Sequence, residues 1–260
     1  MTDQHVVYEV DDRTAWIRID RPERRNAMAV QTTEELIAAF VRAGQDPDIW
    51  AVVLTGTGDR AFCAGGDLKE MDETARSGRD IPVPMTGLYR NLFEVILETP
   101  KPTIAAINGA ALAGGCELML SCDLRVAVSG ALIGLPEAKR GMGANLGSVL
   151  LPRLIPRAIA LELLYTARSI TVEEAHQIGL VNRVVSRPDF DAEVRGLAAE
   201  ITANAPLTLR RYKEMAAKGW DLPLPAALRL NVGPNPYLSE DRVEGVRAFL
   251  EKRPPRWSGR

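Results

Sequence analysis

The chain has 260 residues, 46% of them apolar and 25% charged, a composition that supports a sizeable packed core and excludes disorder as the dominant state. Lys and Arg number 32 against 34 Asp and Glu, a net charge of −2, so no bulk positive field exists to hold nucleic acid or an anionic membrane. Apolar runs such as 103–107 fall far short of the ~20 residues that cross a bilayer.

The opening MTDQHVVYEVDD lacks a basic n-region and an apolar h-region, so a cytoplasmic address without membrane contact is expected. Residues 6–10 and 15–19 alternate around an Asp-Asp-Arg turn and predict a hairpin. After the polar loop DRPERRNAM, Leu36, Ile37 and Phe40 share one face of a helix predicted over 30–43. A buried strand is predicted over 49–54, ended by Gly56. A helix capped by Asp67 is predicted to run to Arg76, with a loop over 77–84 and a second helix over 85–98, closed by Pro100 and Pro102. A strand at 103–107 turns at Asn108-Gly109, and Gly114-Gly115 opens a helical run to Ser121 before a further strand at 124–128. From Asn145 onward the pattern is helical except for a short strand at 181–185. The fold class is therefore α/β, strand and helix units followed by a packed helical tail with no Gly/Ser linker between them.

Cys63, Cys116 and Cys122 form no C-x-x-C pair and read as reduced thiols. With only His5 and His176 and no G-x-S-x-G, neither a metal cage nor a Ser-His-Asp triad is expected. GTGDRA at 56–61 approaches a dinucleotide fingerprint, but the loop AFCAGGD follows where a helix would have to open, and no Gly-Lys pair exists to make a P-loop.

Two other glycine segments, Ala64-Gly65-Gly66-Asp67 and Ala113-Gly114-Gly115-Cys116-Glu117, each stand before a helix. Free N–H groups at a helix start, approached closely past glycine, bind an oxyanion; the same glycines equally serve packing and turn geometry. Glu117 lies in the apolar GGCELML, where a carboxylate is costly without a task or a partner, and Glu137 follows twenty residues later in GLPEAK. Either Glu137 caps a turn and Glu117 pairs with a base, or the two converge, one taking a proton from water while the other gives one to carbon.

Taken together, AFCAGGDLKEM (61–71), KPTIAAINGAALAGGCELMLSCDLRVA (101–127) and GLPEAKRG (134–141) resemble the enoyl-CoA hydratase/isomerase, or crotonase, superfamily. RPERRNAM, ARSITVEEAHQIGLVNRVV and SEDRVEGVRAFLEKRPPRW extend the resemblance over essentially the whole chain. It implies a crotonase-like spiral of ββα units over 1–200 and a C-terminal helical trimerisation region over 201–260, hence a homotrimer or a homohexamer. The ligand it implies is an acyl-CoA, the CoA thioester being the substrate, so no separate cofactor is expected. The backbone N–H groups of Gly66 and Gly114 match the family's oxyanion donors, and Glu117 and Glu137 match its two hydratase glutamates. Ala64, Asp67, Leu68 and Lys69, with Gly66, match the stretch around the adenine and pantetheine; Phe249 and Lys252 match the tail that reaches a neighbouring subunit's CoA.

Retention of both glutamates implies a lyase that hydrates a 2-trans-enoyl-CoA, as in fatty acid metabolism, rather than an isomerase. One departure stands out: the family's Pro-Gly-x-Gly-Gly-Thr-like turn reads Ala144-Asn145-Leu146-Gly147-Ser148-Val149. With LPEAK, Arg140 and the RPPRWSGR end, this moves the resemblance toward members acting on crotonobetainyl-CoA or another specialised enoyl-CoA. Outside catalysis stand an acyl-CoA binder and an RNA-binding reading, the latter resting on RPERR (21–25) and RRYK (210–213).

Overall fold

A computed structural model describes residues 4–78, 85 and 88–260. Its first two strands, β1 (Val6–Asp11) and β2 (Thr14–Ile19), form the expected antiparallel hairpin, with Ala15, Ile17 and Ile19 fully buried. Helix α1 (Val30–Gln45) turns Leu36, Ala39, Phe40 and Ala43 onto this hairpin. Its last carbonyls are held by the buried Lys101, whose Nζ donates to Ala43 O at 2.6 Å and to Asp46 O.

From there the chain climbs as a spiral, each turn adding one strand to each of two sheets. The first turn gives β3 (Ala51–Gly56), β4 (Ala61–Cys63) and α2 (Leu68–Arg76), then α3 (Leu92–Glu98). The second gives β5 (Thr103–Ile107), β6 (Ala110–Leu112) and α4 (Gly114–Ser121). In the third, β7 (Leu124–Val128) and β8 (Leu132–Gly134) lead to a 3-10 turn (Pro136–Arg140) and to helices α5 (Asn145–Leu154) and α6 (Arg157–Thr166). Then follow β9 (Ser169–Thr171), α7 (Val172–Gln177), β10 (Arg183–Val185) and α8 (Phe190–Thr202), and last α9 (Pro206–Gly219), α10 (Leu224–Ala227) and α11 (Glu240–Glu251).

The six-stranded sheet runs β1-β2-β3-β5-β7-β10, parallel from β2 onward, and the four-stranded sheet runs β4-β6-β8-β9, parallel from β4 to β8. Every residue of β5 is buried, the signature of a central parallel strand covered on both faces. Helix α4 lies at the heart of the molecule, with all residues from Gly115 to Ser121 buried. At its C-terminal end the buried Arg125 donates to Cys122 O at 2.8 Å, and its Nε donates to Leu180 O at 2.5 Å.

Several elements depart from expectation. The strand predicted at 49–54 sits two residues later, because pairing with β2 starts at Thr14 opposite Ala51 and runs to Ile19 opposite Gly56. The strand predicted at 181–185 shortens to Arg183–Val185, since Val181 N–H is still tied to Ala175 O at the end of α7. The helix predicted over 85–98 opens only at Leu92. There Asn91 closes a capping box: its side chain accepts Glu94 N–H at 3.0 Å and its own N–H donates to the Glu94 carboxylate at 2.8 Å. Most of the loop expected over 77–84 lies outside the described residues. The second of the two sheets that the resemblance implies is present, but residue patterning predicts none of its strands: Ala61–Cys63 occupies what reads as loop in AFCAGGD.

Candidate active site

The three parallel strands β4, β6 and β8 are neighbours, pairing Cys63 with Ala111 and Leu112 with Gly134. Their C-terminal ends therefore deliver three chain segments to one place, the edge of a parallel sheet where α/β folds hold ligands. The segment after β4 carries Gly66, the one after β6 carries Gly114 and Glu117, and the one after β8 carries Glu137.

Contact between the first two segments leaves no room for side chains. A Cβ on Gly115 would lie 2.0 Å from Cys63 O, and one on Gly65, whose φ is +95°, would lie 2.7 Å from Ala113 Cβ and 3.2 Å from Gly114 N. A Cβ on Gly114 would stand 3.9 Å from Gly66 N, so the two glycines are close neighbours. Gly114 is the first residue of α4, whose opening N–H groups have no partner within the helix. Gly66 bridges Met28 through its neighbours: Met28 N–H donates to Gly65 O at 2.8 Å and Asp67 N–H donates to Met28 O at 2.9 Å. That alternation directs the Gly66 N–H away from Met28.

Ala113 turns the chain from β6 into α4 with φ 53° and ψ −129°, a region that costs a non-glycine residue about 1–3 kcal/mol. Its N–H is held by Gly134 O at 2.9 Å, so the surrounding sheet imposes the conformation.

Glu117 and Glu137 are 6% and 7% exposed. Glu117 accepts Gly147 N–H on Oε1 at 2.9 Å and pairs with no basic side chain among the described residues. Burial pushes its carboxyl up to about 7; the Gly147 bond opposes this, and the nearby charge of Glu137 adds to it. Burial also raises Glu137, against the pull of Arg140, and its Oε2 has no hydrogen-bond partner among the described residues. The site thus holds two carboxyls that burial raises, Glu117 to about 7, beside the backbone N–H groups of Gly66 and Gly114.

The remaining predicted residues divide. Asp67 caps α2, accepting Lys69 N–H at 3.2 Å, and its carboxylate turns inward to Arg21; Leu68 is half exposed and Lys69 exposed. Ala64 is tied by its N–H to Arg25 O at 3.1 Å. Phe249 is 83% exposed and Lys252 ends α11 with φ 54°; α11 packs on the turn Pro236–Leu238, and neither residue is brought to the site within this chain.

The basic stretches behind the RNA-binding reading are partly consumed in the interior. Arg21 pairs with Asp67, and the half-buried Lys213 pairs with Asp123 at 2.8 Å. GTGDRA lines a different cleft of about 530 Å³ with Arg18, Asn108 and Arg187, and neither glutamate reaches it. Arg18 is committed there to Glu9, and Arg187 to the carbonyl of Asp59. The three cysteines are free and buried, the Cys63 thiol pushed up to about 12 by burial. His5 binds Thr32 and His176 binds Val181 O, both structural contacts. No group of three metal-binding side chains occurs among the described residues, and no described helix is long and apolar enough to cross a membrane.

Sequence reasoning missed Gly147, Met28 and Arg21. Arg21 and Met28 lie in RPERRNAM, which reads locally only as a polar, basic loop, and Gly147 lies in the departing turn 144–149.

The sequence model of one family, described as enoyl-CoA hydratase/isomerase, matches residues 9–260. The chain is 35% identical over 257 residues to a crotonyl-CoA hydratase of Syntrophomonas wolfei, covering 97% of each chain. It is 39% identical over 251 residues to a carnitinyl-CoA dehydratase of Citrobacter koseri, covering 94% of each. Its fold superimposes on the crystal structure of an enoyl-CoA hydratase from Mycobacterium tuberculosis with a TM-score of 0.87 at 35% identity, covering 99% of this chain and all of that one.

Proposed function

The chain belongs to the enoyl-CoA hydratase/isomerase family, and on that premise we propose that it is an enoyl-CoA hydratase adding water syn across the 2,3 double bond of a 2-trans-enoyl-CoA. The observation that carries this reading is the convergence of Gly66 and Gly114 with Glu117 and Glu137 at the ends of β4, β6 and β8. The thioester oxygen lies between the two N–H groups, which stabilise the enolate-like charge as it develops. Ionised Glu117 takes a proton from water as its oxygen bonds to Cβ, and protonated Glu137 gives a proton to Cα. The pair leaves the step with protonation states exchanged and re-equilibrates as one coupled unit.

Because the step needs one carboxyl ionised and the other protonated, kcat/KM is expected to be bell-shaped in pH, falling on the acid side as Glu117, lifted by burial to about 7, is protonated, and on the alkaline side as the pair loses its last proton. The test is loss of the enoyl-thioester absorbance across a panel of 2-enoyl-CoAs, followed by ¹⁸O incorporation from labelled water. Solvent deuterium entering without net addition of water identifies an isomerase instead. Similarity to a carnitinyl-CoA dehydratase, with Asn145 and Leu146 in the departing turn, favours including polar acyl groups such as crotonobetainyl in the panel.

The same reading makes the assembly a homotrimer or homohexamer. Its support is the apolar surface of the C-terminal helices: Leu224, Leu228, Leu238, Phe249 and Leu250 are each at least 70% exposed. Sedimentation of the full chain against one lacking 235–260 tests it: the truncated form is expected to run smaller and to bind CoA weakly.

A further inference from the structure

Among ion pairs of the described residues, Arg21 with Asp67 is the one in which both side chains are nearly enclosed, at 11% and 10% exposed. A buried pair of this kind is poor evidence of stability, since desolvating both ions offsets much of their attraction. Its position suggests another role. Arg21 Nη2 reaches Asp67 Oδ2 at 3.1 Å while Nη1 donates to Ala27 O at 2.6 Å, so one rigid fork spans the RRNAM segment and the segment after β4. Asp67 is the residue next to Gly66, and its N–H already binds Met28 O. Three bonds and this fork therefore define the plane of the peptide that presents the Gly66 N–H: Ala64 to Arg25, Met28 to Gly65, Asp67 to Met28.

We infer that Arg21 is a positioning residue for the oxyanion hole, aiming the Gly66 N–H through its buried pairing with Asp67. This rests on the proposed reading of Gly66 as an oxyanion donor. A hydrogen-bond donor misplaced by about 1 Å can cost on the order of 10²-fold in rate. Because the bond to the thioester oxygen strengthens as charge develops, the loss falls on kcat rather than on KM.

The test compares the full-length wild type with Arg21→Lys, Arg21→Met, Asp67→Asn and the Arg21→Met/Asp67→Asn double variant. One readout is kcat and KM for hydration of crotonyl-CoA. The other is the absorption maximum of bound 4-dimethylaminocinnamoyl-CoA, a push-pull thioester whose band moves to longer wavelength when its carbonyl is polarised. Arg21→Met and Asp67→Asn are expected to lower kcat about 10²-fold with KM little changed, and to shrink the red shift together. Arg21→Lys keeps the charge without the fork and falls between, and the double variant is no worse than the worse single one, as for two members of one interaction.

Asparagine caps a helix as well as aspartate does, so Asp67→Asn decides the matter should Arg21→Met fail to fold. A full red shift in the folded variants overturns the inference whatever happens to kcat, because a merely structural loss leaves carbonyl polarisation intact. A wild type that binds the probe with no red shift removes the oxyanion reading itself, and this inference with it. Glu117→Gln, expected to shift the probe fully without turning over, separates the hole from the carboxylates.

Discussion

The two sheets of this molecule carry opposite loads. The six-stranded sheet is made of strands of three to six residues, and its inner members such as Ile17, Val52, Leu54 and Ile104 are wholly enclosed; no proposed reacting group stands on it. The four-stranded sheet has three-residue strands throughout, gives fewer side chains to the core, and has all the proposed chemistry hanging from the ends of three of them. Stability and reactivity are thus separated in space, which is an economical way to hold strained or desolvated groups in a marginally stable chain.

Changes at the ends of the small sheet should strike rate. The largest effect is expected from Glu117→Gln and Glu137→Gln, each lowering hydration by about 10²–10⁴-fold while the fold persists. The double change should cost far less than the product of the singles, since groups acting in one step are not additive. A Glu137→Gln enzyme as fast as wild type breaks the two-carboxylate mechanism. Gly114→Pro comes next: proline has no N–H, and its Cβ would meet the flexible end of Met28 at 2.7 Å, which has to shift. A loss of about 10²–10³ in kcat is expected, and a folded variant with normal kcat would remove Gly114 from the oxyanion hole.

Changes inside the large sheet should strike stability instead. Ile104→Ala opens a cavity in β5 and is expected to cost about 2–5 kcal/mol in denaturant unfolding, with kcat per folded molecule unchanged. A matching fall in kcat would show that the two sheets are not independent.

Glu117 sharpens the contrast, because its reactivity is a stability cost. A carboxyl raised from 4.5 to about 7 in the folded chain binds more protons there than when unfolded, so stability is lost as pH rises through that interval. Glu117→Gln keeps an acceptor for Gly147 N–H and removes the charge. It should therefore stabilise at pH 8, by on the order of 3 kcal/mol at about 1.4 kcal/mol per pKa unit, with most of the gain lost by pH 5 and the rest below the unfolded value of 4.5. Thermal melts at the two pH values check the sign. The smallest effect is expected from Ala113→Gly, which releases φ 53° at the entry to α4. Strain relief of about 1–3 kcal/mol, set against roughly 0.5–1 kcal/mol of added chain entropy, leaves a gain of about 1 kcal/mol in melting experiments.

The same division explains what the sequence discloses. Alternation in β1 and β2, the enclosed run of β5 and the apolar stripe of α1 announce the large sheet and its cover, because each repeats long enough to show a period. Asp67 as a helix cap is local chemistry and equally visible. Strands of three residues complete hardly more than one alternation, so β4, β6, β8 and β9 leave no periodic trace. Gly66, Gly114, Glu117 and Glu137 were legible through the ordered match of several motifs, not through any one glycine pair. What supports them was not: Gly147 holds Glu117 from 30 residues away, and Arg21 holds Asp67 from 46 away. Such pairings depend on how the spiral stacks, a fact that no window along the chain contains.

That stacking has a consequence for inheritance. Each winding of the backbone brings one instalment of the proposed reactive centre, Gly66 from the first, Gly114 with Glu117 from the second, Glu137 from the third, each from the end of its strand. On the proposed reading, a point change after β8 replaces an acid and leaves the anion cradle standing; a change after β4 alters the cradle and leaves both acids. A lineage built this way can trade one chemical step for another by single substitutions, with no interval in which the scaffold has to be rebuilt.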